Sequence, residues 1–366
     1  MNLTHIHPGV RLARLTAAVL AATVTSLSIV SVTAGASSTG PTLVVYSAQG
    51  YDKATVAAFN RTNPGFTVTL NDNSTGPLLQ QIQAEGKNPK WGVLWVDGAT
   101  AFAQLDNEGY LEKNIVPKVS FNPQGKANIP ADGSYLPTGL TATGALVYDS
   151  SQISASQLPK TWAQLLSPKY KNMLGMNDPT QSGPTFPLIA GLMNYLGKYK
   201  SGSTAKAVNA GEAYLTTLKK NGLVVNATNG PTIGAIQAHT IKMAIIQSSA
   251  GYGQELTTLP SLRVDYLNPV TALPGVIGID RYMPATVRAE AQKFVDWVLS
   301  RAGQHVMQTG DPQGDSLFWP VINGEKPSNK VIPVLSTVPM QYINPYVWGS
   351  LETKINTWFT SNINNG

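Results

Sequence analysis

The residues best suited to bind a ligand lie in the polar segment DPTQSG, Asp178–Gly183. It follows the apolar residues 174–176, which are predicted to end a buried strand, and it precedes apolar residues at helical spacing. The first amide groups of a helix have no partner within it and carry partial positive charge. The hydroxyls of Thr180 and Ser182, with the close approach that Gly183 allows, would complete a pocket for an anion. On this segment alone, helix capping by Thr180 or Ser182 is the commoner explanation.

Polar residues also lie at the ends of other predicted strands, which are the segments 42–47, 66–70, 91–96 and 243–246. Strand-like and amphipathic helical segments alternate, and this alternation is typical of a parallel sheet with crossover helices. The carboxyl ends of such strands form the edge at which open α/β sheets bind ligands. The candidate ligand-binding residues at these ends are Ser47, Gln49, Ser74, Thr75, Gly76, Asp97, Ser248, Ser249 and Tyr252.

Two later segments are predicted to be helices. Residues 285–307 carry Val287, Ala291 and Phe294 at helical spacing and predict one long helix that ends at a glycine. Residues 232–238 predict a shorter helix. Both predictions rest on the spacing of apolar residues.

Residues 1–36 are predicted to be a cleavable signal peptide. Two arginines precede the apolar run Leu15–Val32, and Ala34-Gly35-Ala36 fits the small-residue cleavage pattern, so Ser37 would begin the mature chain. The apolar run is long enough for a transmembrane anchor, which is the alternative. The chain has no cysteine, which excludes disulfides and a lipid-anchored N-terminal cysteine. We therefore expect a soluble periplasmic protein.

Length and charge favour a two-domain protein that binds a small molecule. The net charge of +6 includes Arg11 and Arg14, the only charged residues before Ser37, so the mature chain carries +4. Because the chain has no run of lysine or arginine, nucleic-acid binding is not supported. A mildly basic chain suits a small anionic ligand.

Few motifs favour an enzyme. The predicted mature chain has two histidines, His239 and His305, and neither belongs to an HExxH motif. The nucleophile elbow GxSxG is absent, and the Gly191–Tyr199 stretch departs from the P-loop pattern. Carboxylates alone can hydrolyse glycosides, so a periplasmic hydrolase or lyase is the competing class. No cofactor and no metal site are predicted.

Several segments together resemble the extracellular solute-binding proteins of ABC importers. The likeness is to the branch that binds ferric iron, thiamine, phosphorylated sugars and 2-aminoethylphosphonate. The matching segments are LVVYSAQ (43–49), NSTGPLLQQIQAEG (73–86), WGVLWVDGATAFAQLDNEGYL (91–111), GALVYDSSQI (144–153), LPKTWAQLLSPKYKNMLGMNDPTQSG (158–183) and AQKFVDWVLSRAGQ (291–304).

The resemblance implies a two-lobed α/β fold of the type II periplasmic-binding-protein class. Two hinge strands would cross between the lobes near Gly144–Tyr148 and Leu273–Ile279. Lobe one would comprise residues 41–145 plus 276–366, and lobe two residues 146–275. A monomer would carry its ligand in the interlobe cleft to the membrane permease of an ABC transporter. In this setting Asp178–Gly183 is interpreted as a ligand site.

One segment of this chain differs from the family pattern, and the difference affects which ligand we expect. Ferric-binding relatives have two adjacent tyrosines after the strand that matches residues 243–247, whereas this chain has Ser248-Ser249-Ala250 and Tyr252. Hydroxyls and free amides suit phosphate or phosphonate oxygens better than ferric iron. Asp97 would then bind an amine of the same ligand or cap a helix. We therefore expect a phosphonate or phosphorylated ligand, with ferric iron or thiamine as alternatives.

Overall fold

The computed structural model describes residues 41–365, so the predicted signal peptide lies outside the described residues. Strands and helices alternate along this range. The strands are β1 (Thr42–Ser47), β2 (Thr67–Asp72), β3 (Val93–Asp97), β4 (Tyr135–Asp149), β5 (Leu174–Asn177), β6 (Val224–Asn226), β7 (Met243–Ile246), β8 (Leu262–Ile279) and β9 (Met340–Gln341). The α-helices are α1 (Asp52–Asn60), α2 (Thr75–Glu85), α3 (Ala99–Asn107), α4 (Pro123–Ala127), α5 (Trp162–Leu165), α6 (Thr185–Leu196), α7 (Ala205–Lys220), α8 (Asn229–Gln237), α9 (Ser248–Thr257), α10 (Ala285–Leu299), α11 (Arg301–Gly310), α12 (Pro345–Gly349) and α13 (Glu352–Phe359).

All nine strands of the described chain join one mixed sheet, in the order β2-β1-β3-β8-β4-β7-β5-β6, with β9 beside β8. β1 is parallel to β2 and β3, and β5 is parallel to β6 and β7. The antiparallel pairings all involve β4 or β8. The sheet therefore consists of two parallel parts, each with crossover helices, joined by the β4–β8 pair.

β4 and β8 are the two crossing strands, and their prediction is confirmed. At one end β8 pairs with β3 through residues 275–279, and at the other end β4 pairs with β7 through residues 145–148. The strands have 15 and 18 residues, so they are longer than the predicted segments. Because β4 is buried along its whole length, it lacks the alternation by which a half-exposed strand is recognised.

Separate hydrophobic cores lie in the two parts of the fold. Val45, Trp95 and Phe294 belong to the first, and Met176 and Ile189 to the second. The side chains of the C-terminal segment divide between the cores: residues 317–322 contribute to the first, whereas residues 348–363 contribute to the second. The bounds predicted for the lobes, 41–145 plus 276–366 and 146–275, stay a prediction.

The prediction of one long helix over residues 285–307 was wrong in one respect, because the structure divides this segment into two helices at Ser300. This residue is extended, with φ −65° and ψ 162°, and its hydroxyl accepts a hydrogen bond from the Gly303 amide at 3.2 Å. A serine with this geometry caps a new helix, α11. Within residues 41–365, no helix is both long and apolar enough to cross a membrane.

Candidate functional site

A polar cleft of about 490 Å³ lies where the loops after several strands meet. It is bounded by loops of both parallel parts of the sheet, as expected for the carboxyl edge of an open α/β sheet. The residues that line it are Ala48, Gln49, Gly50, Asp52, Lys53, Asp72, Asn73, Ser74, Thr75, Asp97, Gln181, Ser182, Gly183, Pro184, Thr228, Asn229, Gly230, Gln247 and Asp315.

Two helices begin at the cleft, and a loop that leads into a third lines it. Thr75 begins α2, Asn229 begins α8, and residues 181–184 precede α6. The N-cap residues of α2 and α8, Ser74 and Thr228, make no side-chain capping bond. Their hydroxyls and the amides of Thr75 and Asn229 are therefore available to oxygen atoms of a ligand, whereas the Gly76 amide donates to the Gln181 carbonyl at 3.4 Å.

Capping does not explain the hydroxyls of the DPTQSG segment. Helix α6 follows Pro184 and has no side-chain cap. The Thr180 hydroxyl donates to Asp178 Oδ1 at 2.7 Å, and Asp178 Oδ1 also accepts from the Thr180 amide at 2.8 Å. The Ser182 hydroxyl accepts from Asn177 Nδ2 at 3.2 Å and lies at the cleft. Its oxygen is thus oriented by a neighbouring amide rather than by the helix.

Asp97 connects the two sides of the cleft. Its Oδ1 accepts from Gln49 Nε2 at 3.1 Å, and its Oδ2 accepts from Gln247 Nε2 at 3.0 Å. Gln49 follows β1, whereas Gln247 follows β7 in the other parallel part. Burial raises the pKa of Asp97 to about 6, although both amides favour its charged form. The carboxyl group lines the cleft.

A chain of amide side chains continues from Gln247. Gln247 Oε1 accepts from Asn229 Nδ2 at 3.4 Å, and Asn229 Oδ1 accepts from Asn177 Nδ2 at 2.7 Å. Asn177 Oδ1 in turn accepts from the Thr232 hydroxyl at 2.6 Å. Each of these bonds fixes which way an amide points, so the network prearranges the donors and acceptors at the cleft.

The side of the cleft near α1 is acidic. Asp52, Asp72 and Asp315 line it with Asp97, and Lys53 is the one lysine or arginine among the described lining residues. Lys53 is paired with Asp72 at 2.6 Å. Burial raises the pKa of Asp52 to about 6 and raises the pKa of Asp315 well above its usual range, with Asp97 adding to the second shift. A positively charged group is therefore favoured on this side.

The structure brings six of the predicted site residues to the cleft wall, namely Gln49, Ser74, Thr75, Asp97, Ser182 and Gly183. Gly76 and Thr180 are just behind this wall and contact each other, because a Cβ atom added to Gly76 would lie 1.8 Å from the Thr180 carbonyl oxygen. Asp178 is also behind the wall, where its Oδ2 accepts from Asn364 at 2.8 Å. Whether any of these residues binds a ligand stays a prediction.

The remaining four predicted residues are buried and also do not line the cleft. Ser47 is fully buried, and its hydroxyl accepts from the Gln49 amide at 3.2 Å. Ser248 and Ser249, at the start of α9, are also buried, and the Ser248 hydroxyl accepts from the Ala142 amide at 3.2 Å. Tyr252 is buried with its hydroxyl 2.7 Å from another tyrosine hydroxyl. These four side chains are therefore buried in the protein and are not exposed to the cleft.

Sequence reasoning missed several lining residues. Gln247 directly follows a predicted strand, so its position was a signal that could have identified it. Asn229 was missed because α8 was expected to start at residue 232, whereas it begins three residues earlier. Asp315 lies in the C-terminal segment and accepts from the Gly50 amide at 2.8 Å, although 265 positions separate the two residues. No local pattern indicates that contact.

The chain matches the bacterial extracellular solute-binding protein family over residues 46–305. It belongs to this family. Among curated relatives, the Fe(3+)-binding periplasmic protein of Serratia marcescens is 23% identical over 76% of this chain and 79% of its own length. The major ferric iron-binding protein of Neisseria meningitidis serogroup B is 25% identical over 72% of this chain and 78% of its own.

Solved structures share the fold of this solute-binding protein. The periplasmic binding protein AfuA of Actinobacillus pleuropneumoniae, with fructose-6-phosphate bound, has a TM-score of 0.74 at 18% identity, covering 90% of this chain and 100% of that one. Iron-bound HitA of Pseudomonas aeruginosa has a TM-score of 0.70 at 20% identity, covering 87% of this chain and 98% of that one. The two-lobed fold with two crossing hinge strands is thus confirmed.

Proposed function

We propose that this chain is the periplasmic solute-binding component of an ABC importer and that it captures a small phosphonate or phosphorylated compound in the cleft. As a monomer it would deliver this ligand to a membrane permease. The residues proposed to bind the ligand are Gln49, Ser74, Thr75, Asp97, Ser182, Gly183, Asn229 and Gln247. The family membership and the periplasmic location named for its relatives support this role.

The observation that carries the proposal is the arrangement of helix starts around one cleft. The first residues of α2 and α8 and the loop before α6 all line it. The amides at a helix start attract anionic oxygens without any lysine or arginine. Hydrogen bonds to a charged acceptor contribute about 1.5–3 kcal/mol each, so a few of them suffice for micromolar binding.

The carboxylates that line the cleft beside these helix starts restrict the class of ligand that can bind. A purely anionic compound would meet Asp97 and the neighbouring carboxylates, whereas Lys53 is already paired with Asp72. A compound with an ammonium group at one end and a phosphonate or phosphate at the other would bind both sets of groups. The helix starts would bind its anion, and the carboxylates would bind its ammonium group. We therefore propose a zwitterionic ligand whose ammonium group lies at Asp97.

The test compares three small molecules by isothermal titration calorimetry. 2-Aminoethylphosphonate carries both groups, ethylphosphonate only the anion, and ethanolamine only the cation. We expect the zwitterion to bind at least tenfold more tightly than either other compound. Equal binding of ethylphosphonate and 2-aminoethylphosphonate would contradict the ammonium position, and failure of both phosphonates to bind would contradict the ligand class.

A thermal-shift screen with fructose 6-phosphate and thiamine covers the other ligand classes. A compound at a thousand times its Kd should stabilise the folded protein by about 4 kcal/mol, which is a readily measured shift. If fructose 6-phosphate or thiamine gives a larger shift than 2-aminoethylphosphonate, that compound replaces the zwitterion as the proposed ligand.

Ferric iron is a second candidate because the curated relatives bear that name. Within residues 41–365, no three His, Asp or Glu side chains are grouped in a way that could hold a metal ion. The Tyr252 hydroxyl is hydrogen-bonded to Tyr266 rather than directed into the cleft. Titration with ferric citrate should therefore produce no tyrosinate charge-transfer band. A visible band that disappears in Tyr252→Phe would favour the ferric assignment.

A periplasmic hydrolase or lyase is the competing class. After prolonged incubation with the protein, the bound compound should be recovered unchanged, as shown by phosphorus NMR. Release of inorganic phosphate at a catalytic rate would favour the enzyme.

A further inference from the structure

Asp315 is the residue that the C-terminal segment contributes to the cleft, and one of its two carboxyl oxygens is fixed by the backbone. Its Oδ2 accepts from the Gly50 amide at 2.8 Å, and its own amide donates to Asp311 Oδ2 at 2.8 Å. Its Oδ1 has no hydrogen-bond partner among residues 41–365, and this atom is not sealed from water. One oxygen of Asp315 is therefore held in place, and the other is open to a ligand in the cleft.

The side chain of Gln49 offers a second open acceptor. Gln49 directly precedes Gly50, is 2% exposed and lines the cleft. Because its Nε2 donates to Asp97 Oδ1, its Oε1 is the remaining polar atom. This oxygen has no donor within the described chain and is not sealed from water. An open acceptor on a nearly buried side chain indicates that a ligand supplies the donor.

Asp97 is the third acceptor, and it lies close to the other two. Each of its oxygens accepts one side-chain bond, from Gln49 and from Gln247, although a carboxylate oxygen can accept two. The consecutive residues Gln49 and Gly50 donate to Asp97 and Asp315 respectively. Burial raises the pKa of Asp315, and the charge of Asp97 adds to this shift. A cation between the two carboxyl groups would relieve their repulsion.

We propose that Asp97, Asp315 and the Oε1 atom of Gln49 together select a primary ammonium group and reject a quaternary one. A primary ammonium group has three N–H donors, one for each acceptor, whereas a trimethylammonium group has none. Quaternary ammonium groups are recognised by the faces of aromatic rings, and the described residues that line the cleft include no Trp, Tyr or Phe. This inference rests on the proposed function, to which it adds Asp315 and the requirement for a primary amine.

The test compares 2-aminoethylphosphonate with its N,N,N-trimethyl derivative by calorimetric titration. The two compounds differ only in the methyl groups on nitrogen. The wild type should bind the primary amine about tenfold more tightly or better, because the trimethyl compound leaves the acceptors without donors. Equal binding of the two would overturn this inference and leave the proposed function standing. If neither compound binds, the proposed function fails and the inference fails with it.

Variants assign the preference for the primary amine to these residues. Asp315→Asn keeps an oxygen for the Gly50 amide but removes the charge, so it should weaken binding of 2-aminoethylphosphonate about tenfold and affect the trimethyl derivative less. Gln49→Met removes the open oxygen, should also lower the preference, and serves if Asp315→Asn does not fold.

Asp265→Asn is the matched control. It removes the same charge outside the cleft, where Asp265 pairs with Lys160 at 3.3 Å, and it should leave the preference unchanged. An unchanged preference in both cleft variants, or an equal fall in Asp265→Asn, would overturn the inference.

Discussion

The contact between Gly76 and Thr180 gives a sharp test of lobe closure. Gly76 lies in the first turn of α2, and Thr180 lies in the segment before α6, which belongs to the other parallel part of the sheet. In Gly76→Ala the new Cβ atom would lie 1.8 Å from the Thr180 carbonyl oxygen. A carbon–oxygen contact needs about 3.3 Å, so the two segments must separate by about 1.5 Å.

Such a separation weakens ligand binding but not the fold of either part. The Gly76 amide donates to the Gln181 carbonyl at 3.4 Å, and loss of this bond removes about 0.5–1.5 kcal/mol from the closed state. A shift of this size also lengthens the bonds from Ser182 to the ligand, which are worth about 1.5–3 kcal/mol each. Loss of one bond of each kind, about 2–4.5 kcal/mol together, predicts a Kd about thirtyfold to two-thousandfold higher.

The thermal stability of the ligand-free Gly76→Ala variant should not fall, although its ligand binding is weaker. Alanine is a better helix former than glycine by up to about 1 kcal/mol, so the Tm of Gly76→Ala should be equal or higher. Gly234→Ala is the matched control, because a Cβ atom at Gly234 in α8 meets nothing within 4 Å. It should bind as the wild type does.

The assay is calorimetric titration with the tightest ligand from the screen, together with thermal unfolding of each variant. Wild-type affinity in Gly76→Ala would refute the reasoning, since the contact would then be absent from the bound state. A large fall in Tm without ligand would show instead that the contact belongs to the fold.

Three further predictions concern the cleft and the N-terminus. The affinity for 2-aminoethylphosphonate should fall relative to that for ethylphosphonate as the pH is lowered through about 6, because the raised pKa of Asp97 makes this carboxyl group neutral below that value; a constant ratio from pH 5 to pH 8 would exclude Asp97 from the ammonium site. Ser182→Ala should weaken phosphonate binding about tenfold, from the loss of one bond to a charged acceptor, and Ser182→Asp should nearly abolish it; calorimetry showing wild-type affinity in Ser182→Asp would contradict the site. Mass spectrometry of protein from the native host should find Ser37 as the first residue, and recovery of uncleaved protein in the membrane would show the alternative anchor.

The sequence determined the features that depend on local pattern. Alternating strands and helices predicted a parallel sheet with crossover helices, since buried strands and amphipathic helices differ in the spacing of their apolar residues. The division into two lobes was implied by the family resemblance. Polar residues at strand ends, such as Gln49, Ser74 and Asp97, were predicted together at one edge, because parallel strands share that edge. The start of α8 was placed too late, since the Asn229-Gly230-Pro231 sequence reads as a turn as readily as a helix start.

Only the tertiary structure decided which charges and amides meet. Asp315 reaches Gly50 across 265 positions of sequence, and Gln247 reaches Asp97 across 150. The C-terminal helix α13 packs with the second core through Ile355 and Phe359, far along the chain from the other residues of that core. Contacts of this kind depend on how packed elements are placed in space, and the spacing of residues along one element contains no information about that placement.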